Sequence, residues 1–159
     1  QPKEYYLATV HRAENTDDPE RLKNIVDAMC SIGDVVFPCH PRTKKHLGNL
    51  HLWEGLEKSI QVINPVGYLD MLLLEKNARK ILTDSGGVQK EAYMLQTPCI
   101  TMRDETEWVE TVEDGWNLLV GADKNSIIEA ACEFNPAKGQ RDVFGSGDAS
   151  QRIVDKIVF

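Results

Sequence analysis

The chain has 159 residues, of which 42% are hydrophobic and 27% charged, the size and composition of one soluble domain. No apolar stretch approaches the roughly 20 residues needed to cross a bilayer, so we expect no membrane insertion. The net charge of -7 would repel a polyphosphate backbone, which argues against nucleic acid as a partner.

Strand-like and helix-like patterns alternate along the chain. Residues 5–10 are rich in aromatic and β-branched side chains and predict a strand. A helix follows, with Asp18 as its N-cap, Pro19 in the first helical position and Gly33 as its end. Further strands are predicted at 35–37, 60–63, 80–83, 99–102 and 117–120, and further helices from Arg42, at 68–77, at 88–95, at 124–132 and from Ser150.

This alternation predicts right-handed crossovers and a parallel sheet with helices on both faces. The fold class is therefore α/β, a Rossmann-like doubly wound sheet. In such sheets ligands bind outside the carboxyl ends of the strands. Polar residues follow the first five strands, at 11–15, 40–42, 65–68, 84–87 and 103–105. We expect these five loops to form one rim suited to a phosphate ester.

Asp84-Ser85-Gly86-Gly87 stands between a buried strand and a helix. Two glycines let backbone N–H groups approach a phosphate closely, and the helix adds the positive end of its dipole. The dipole contributes only about 0.3–2 kcal/mol, so neighbouring loops must add further donors. A tight turn without a ligand is the alternative, but the context favours phosphate binding. A branched side chain at Gly86 is then expected to lie against the phosphate.

Other rim residues have both a functional and a structural interpretation. Glu91 lies one helical turn beyond the glycines and could accept hydrogen bonds from ribose hydroxyls, or be a solvated carboxylate. His11 and Arg12 could neutralise a leaving diphosphate, or form a polar loop. For His40, ligand contact and loop packing are equally supported. Tyr68 is interpreted as a core residue of its helix.

The remaining aromatic, histidine and cysteine residues favour structural roles. Trp53, Trp108 and Trp116 are interpreted as packing residues, and His46 and His51 as surface residues. None of the histidines has the spacing of a metal ligand, so no metal is proposed. Four widely spaced cysteines predict reduced thiols in a cytoplasmic protein: Cys30, Cys39, Cys99 and Cys132. The chain begins at Gln1 without an initiator methionine, and we expect a piece of a longer protein.

Three segments taken together are specific: 9–15 (TVHRAEN), 84–92 (DSGGVQKEA) and 102–107 (MRDETE). With the glycine-rich segment 144–150, they resemble the carboxyl-terminal half of the non-hydrolysing UDP-N-acetylglucosamine 2-epimerase family. The resemblance implies a GT-B fold of two Rossmann-like domains with the active site between them. Residues 1–159 would then be one UDP-binding domain. The implied reaction interconverts UDP-GlcNAc and UDP-ManNAc by eliminating UDP with loss of the C2 proton and adding it back.

The resemblance also implies roles for single residues. His11 would support catalysis, Ser85, Gly86 and Gly87 would hold the phosphates, and Glu91 the ribose. The further UDP-sugar contacts implied are Arg12, Asn15, His40, Arg103 and, around the uracil, Val66, Tyr68 and Met71. No cofactor is implied. The acid/base carboxylates would lie in the amino-terminal half, so this chain alone is expected to be inactive, and the full-length enzyme to be a homodimer.

Trp108 departs from the family pattern, because many members carry an arginine there, followed by proline. Trp108 cannot supply a guanidinium charge to a phosphate. It motivates an alternative substrate, a modified UDP-sugar such as UDP-diacetamido-glucuronate. Two further alternatives are the donor-binding half of a GT-B glycosyltransferase and a non-enzymatic nucleotide-sugar binding module.

Overall fold

A computed structural model describes residues 3–157 and has six parallel strands in one sheet. The strands are β1 (Tyr6–Thr9), β2 (Val35–Pro38), β3 (Gln61–Ile63), β4 (Ile81–Thr83), β5 (Cys99–Thr101) and β6 (Asn117–Leu119). Their spatial order is β3-β2-β1-β4-β5-β6. Leu7 in β1 is in register with Val36 on one side and Ile81 on the other. The predicted parallel sheet is confirmed, and both ends of the predicted 1–159 domain lie outside the described residues.

The helices are α1 (Ala13–Thr16), α2 (Pro19–Ile32), α3 (Pro41–Asn49), α4 (Trp53–Ser59), α5 (Tyr68–Asn77), α6 (Gly86–Met94), α7 (Val109–Glu113), α8 (Lys124–Glu133) and α9 (Ala149–Ile157). Three of them, α1, α4 and α7, were not predicted from the sequence. They have only four, seven and five residues. Segments this short carry too little periodicity to reveal a buried face.

The boundaries of α2 follow from local chemistry. The Asp18 side chain accepts hydrogen bonds from the backbone N–H groups of Glu20 and Arg21, and Pro19 occupies the first helical position. The helix ends at Gly33, which has φ 66°, a conformation that glycine adopts at little cost. The predicted cap and end are both confirmed.

Helices cover both faces of the sheet. The larger core joins β1 and β2 to α2, α3 and α8, with fully buried residues that include Phe37, Leu22 and Ile127. A second core joins Leu7, Ile81 and Cys99 in the strands to Val88 and Ala92 in α6. The predicted doubly wound arrangement is therefore confirmed.

The four cysteines form no disulfide, and two of them are buried: Cys39 and Cys99. Burial raises the pKa of Cys39 to about 11 and that of Cys99 to about 12. Both groups are therefore protonated thiols at neutral pH. Within residues 3–157, no helix combines the length and hydropathy that crossing a bilayer requires.

Candidate functional site

The strand order reverses at β1, which pairs with β2 on one side and with β4 on the other. The chain leaves β1 and β4 toward helices on different sides, and a crevice opens between the two loops. Ligands of open α/β sheets bind in such crevices. The sheet thus brings the histidine loop after β1 next to the glycine turn after β4.

Asp84 joins these two loops. Its carboxylate is fully buried and accepts hydrogen bonds from the backbone N–H groups of His11, at 3.1 Å, and Arg12, at 3.0 Å. The side-chain amide of Asn15 donates a third bond at 3.2 Å. A carboxylate without such donors would be costly to bury. The bonds therefore fix the backbone that carries His11.

Asp84 also orients the His11 ring. Nδ1 of His11 lies 3.4 Å from Oδ1 of Asp84, and 41% of the His11 side chain is exposed. With Nδ1 facing the carboxylate, Nε2 lies on the opposite side of the ring, where it can exchange a proton or stabilise negative charge. The geometry is that of an oriented acid/base or electrostatic group.

A cavity of about 370 Å³ lies beside His11. Its walls are Thr9, Val10, His11, Pro38, His40, Pro65, Val66, Met71 and Val88. Val66 and Met71, predicted at the uracil, thus share a cavity with both histidines. His40 lines the cavity, and its Nδ1 accepts a hydrogen bond from Arg42 N at 3.2 Å, so loop packing is observed and ligand contact stays a prediction. The cavity is apolar with a polar rim, as is typical of ligand sites.

The helix after the glycine turn begins two residues earlier than the sequence predicted. Helix α6 begins at Gly86, and Ser85 is its N-cap, with Oγ accepting a hydrogen bond from Val88 N. Gly86 and Gly87 therefore lie inside the first helical turn, where N–H groups lack intrahelical acceptors. Their donors and the helix dipole favour an anion at this point.

A side chain at position 86 would displace one of the protein's own side chains. A Cβ there would overlap the Glu107 carboxylate, whereas a Cβ on Gly87 would meet nothing closer than Ser85 Oγ at 3.8 Å. Glu107 accepts a 2.8 Å hydrogen bond from Arg103 and lies 3.7 Å from an Arg12 nitrogen. Its own backbone N–H and Arg103 lower the pKa of Glu107. Glu107 therefore contacts both predicted arginines, Arg12 and Arg103, and lies beside the glycine turn.

The sequence was compared with known families, and the family model described as UDP-N-acetylglucosamine 2-epimerase matches residues 1–158. The chain belongs to this family. A UDP-N-acetylglucosamine 2-epimerase homolog of Methanococcus maripaludis is 54% identical over 157 residues, 96% of this chain and 44% of the relative. A UDP-2,3-diacetamido-2,3-dideoxy-D-glucuronate 2-epimerase of Pseudomonas aeruginosa is 49% identical over 95% of this chain and 43% of its own length.

The fold agrees with the family assignment. The crystal structure of Methanocaldococcus jannaschii UDP-GlcNAc 2-epimerase in complex with UDP-GlcNAc and UDP superposes with a TM-score of 0.88 at 49% identity, covering 97% of this chain and 45% of that one. The chain thus spans less than half the length of the relatives it matches. The predicted fold class, a Rossmann-like half of a GT-B fold, is confirmed.

Trp108, which was predicted to be a packing residue, contacts the glycine turn at residues 84–87. Its Nε1 donates a 2.7 Å hydrogen bond to Gly86 O. Its ring packs edge-on against Phe144, with centroids 5.8 Å apart, and the Lys90 ammonium lies 4.7 Å from the ring centre. Trp108 thus contributes packing and one hydrogen bond to the backbone of the turn.

We expect Trp108→Phe to reduce the free energy of unfolding by about 0.5–1.5 kcal/mol, because it removes this hydrogen bond. UDP affinity should fall as well, since Gly86 loses its brace. Trp116→Phe is the matched control, because Trp116 Nε1 donates to Lys138 O at 3.0 Å, outside the turn. Denaturant titrations and UDP binding of both variants test the prediction. Equal UDP affinity in the two variants would contradict the bracing role.

Two predicted residues are placed differently from expectation. Tyr68 is 65% exposed and is not a core residue, because it begins α5 directly after an exposed loop. The charge of Glu91, and a hydrogen bond with it, raise the pKa of Tyr68. Tyr68 therefore faces the carboxylate that was predicted to bind ribose.

Asn15 is fully buried. Its amide nitrogen donates to Asp84 and to Met102 O, and its oxygen accepts from Arg21. With each of these groups engaged inside the protein, Asn15 supports the His11 loop and does not reach the cavity. The prediction that it contacts the sugar nucleotide does not agree with this placement.

Sequence reasoning missed three carboxyl groups as functional candidates. Asp84 was noted only as part of the glycine motif, and Glu107 only as part of a family segment. Glu75 gave no signal, because it stands in an ordinary helical stretch. Asp84 contacts His11 and Glu107 lies against Gly86, each across a long stretch of sequence, and no local pattern reports such a pairing.

Proposed function

We propose that this chain is a UDP-binding domain of a two-domain UDP-N-acetylglucosamine 2-epimerase that interconverts UDP-GlcNAc and UDP-ManNAc. The observation that carries the proposal is His11, oriented by buried Asp84 at the crevice between β1 and β4 and beside the first turn of α6. This arrangement combines an anion site with an oriented imidazole. It is suited to a leaving group that gains charge as its bond breaks.

In the proposed reaction, the sugar loses its C2 proton and the bond from C1 to the diphosphate oxygen breaks, so that a C1–C2 double bond forms. The N–H groups of Gly86 and Gly87 and the side chain of Arg103 stabilise the departing diphosphate. His11 stabilises the same charge or protonates it. Addition of UDP with protonation at the opposite face of C2 completes the epimerisation.

The acid/base carboxylates that exchange the C2 proton belong to the other domain in this proposal, so the chain alone is inactive. The Methanocaldococcus jannaschii relative, crystallised with UDP-GlcNAc and UDP, supports the choice of ligand. Exposed apolar side chains on α9, at Ile153, Val154 and Ile157, are consistent with a further part of the protein packing there. A homodimer in the cytoplasm remains a prediction.

The first test is a calorimetric titration of the chain with UDP and with ADP. We expect UDP to bind and ADP to bind at least about tenfold more weakly, because the proposal places a uracil site in the cavity beside Val66 and Met71. Glu91→Ala should weaken UDP binding roughly tenfold by removing a charged acceptor of ribose hydroxyls. Glu129→Ala, which removes an exposed carboxylate from α8, should leave it unchanged. Equal affinity for both nucleotides would contradict the uridine assignment.

A second candidate substrate is UDP-2,3-diacetamido-2,3-dideoxy-D-glucuronate. The relative from Pseudomonas aeruginosa, named for that activity, is 49% identical to this chain, and Trp108 motivates the same alternative. The two candidate substrates would be distinguished by comparing their turnover rates with the protein that carries this chain. Solvent deuterium entering C2 would identify an epimerase, whereas UDP release to an acceptor without C2 exchange would identify a glycosyltransferase.

A further inference from the structure

Glu75 is a buried carboxyl group that the proposed chemistry does not use. It lies in the last turn of α5 and has no exposed surface. Neither of its side-chain oxygens receives a hydrogen bond from a donor within residues 3–157. An ionised carboxylate in such surroundings is costly, so the group is expected to be neutral or to share a proton.

The neighbour of Glu75 is the proposed ribose ligand. Helices α5 and α6 pack together, and Tyr68 and Glu75, seven residues apart, share the face of α5 that meets Glu91 of α6. Burial, followed by the charge of Glu91 and a hydrogen bond with it, raises the pKa of Glu75 to about 8. Two carboxylates can only accept hydrogen bonds, so a bond between them requires a proton on one.

Two other ionisable groups are coupled to Glu75. Tyr68 faces it from α5 itself, and the pKa of Tyr68 is raised, chiefly by the charge of Glu91. Cys99 faces it from β5, and burial raises the pKa of Cys99 to about 12. Neither group titrates near pH 8. Within the described part of the chain, the proton shared by Glu75 and Glu91 therefore governs the charge of this cluster.

We propose that Glu75 is a positioning residue, a neutral carboxylic acid that donates a hydrogen bond to Glu91 and holds that carboxylate where it accepts hydrogen bonds from the two ribose hydroxyls. The inference rests on the proposed function, because it assumes that Glu91 binds ribose. A carboxylate has about four acceptor sites. With one taken by Glu75, acceptor sites remain for both vicinal ribose hydroxyls.

The test measures how much the ribose hydroxyls contribute to binding. In the protein that carries this chain, the affinity for UDP is divided by that for 2′,3′-dideoxy-UDP at pH 6 to 9. Both nucleotides carry the same uracil and phosphates, so their own titration cancels in the ratio. We expect a ratio of about ten or more at pH 7 in wild type, falling above pH 8 as Glu75 ionises and repels Glu91.

Three variants separate positioning from packing. Glu75→Gln keeps a donor for Glu91 and cannot ionise, so its ratio should match wild type at pH 7 and stay constant to pH 9. Glu75→Leu lacks the donor, and its ratio should fall to about 2–3 at pH 7. Glu110→Gln is the matched control, because Glu110 also has a side-chain oxygen without a partner but lies on α7. It should keep both the ratio and its pH dependence.

Stability provides a readout without nucleotide. Between the ordinary carboxyl pKa of 4.5 and about 8, folded Glu75 keeps a proton that the unfolded chain has released. The free energy of unfolding therefore falls as pH rises through this window and levels off above it. Glu75→Gln removes this loss, so its Tm relative to wild type should rise from pH 5 to pH 8 and change little beyond.

The outcomes separate the two hypotheses. If wild type does not bind UDP, or Glu91→Ala keeps the full ratio, the proposed ribose role of Glu91 fails and the positioning role with it. If Glu91→Ala abolishes the ratio while Glu75→Leu keeps it, only the positioning role is overturned. Should Glu75→Leu not fold, a pH-dependent ratio in Glu75→Gln overturns the inference, and a constant ratio supports it.

Discussion

Replacing Gly86 with alanine is expected to weaken UDP binding roughly tenfold or more, whereas the free energy of unfolding should fall by no more than about 1 kcal/mol, because the group in the way is a half-exposed carboxylate that can move. The new Cβ would overlap the Glu107 carboxylate. Glu107 must then move, and with it the ion pair to Arg103. Arg103 would then lose the partner that holds it beside the turn, where the proposed function places a diphosphate. Thermal unfolding and UDP titration of the variant measure the two effects.

Gly87→Ala is the matched control for this prediction. The site of its Cβ is open, and alanine is favoured over glycine in a helix, so stability should stay equal or rise by a few tenths of a kcal/mol. UDP affinity should still fall if a phosphate contacts the turn. Unchanged UDP affinity in both variants would refute phosphate binding at this helix terminus, whatever the stabilities.

Asp84→Asn is expected to have the second large effect. The substitution conserves volume but turns an acceptor of three N–H groups into an amide that presents donors to donors. We expect a loss of about 2–4 kcal/mol in stability, lowering Tm by roughly 5–15 °C. Because His11 loses its orienting partner, kcat of the protein that carries this chain should fall roughly 100-fold or more. Calorimetry and an epimerisation assay provide the measurements.

Asp114→Asn separates loss of stability from loss of function. Asp114 is nearly buried and accepts hydrogen bonds from the Tyr93 hydroxyl and from Arg141, away from the crevice. Those bonds, led by that of Tyr93, lower the pKa of Asp114 to about 2. Its amide variant should also lose stability but retain kcat at temperatures where it is folded. A kcat loss equal to that of Asp84→Asn would show that stability alone explains both.

The interpretation of Gly86 shows where local reasoning was incomplete. The sequence suggested that a side chain there would meet the phosphate, whereas the structure shows that it would first meet Glu107. The close neighbour is 21 positions along the chain, on the loop after β5. The sequence shows that a glycine stands at position 86, but it does not show which side chain a larger residue there would displace.

The sequence alone determined the order of the strands and of the longer helices, the ends of α2 and the strand-to-helix turn at Gly86, because capping, periodicity and glycine geometry act over a few residues. The tertiary structure alone decided which groups meet. It joined His11 to Asp84 across 73 positions, braced Gly86 with Trp108 and buried Glu75 beside Glu91. These pairs depend on the sheet order β3-β2-β1-β4-β5-β6, and strand pairing between distant segments is a property of the packed chain.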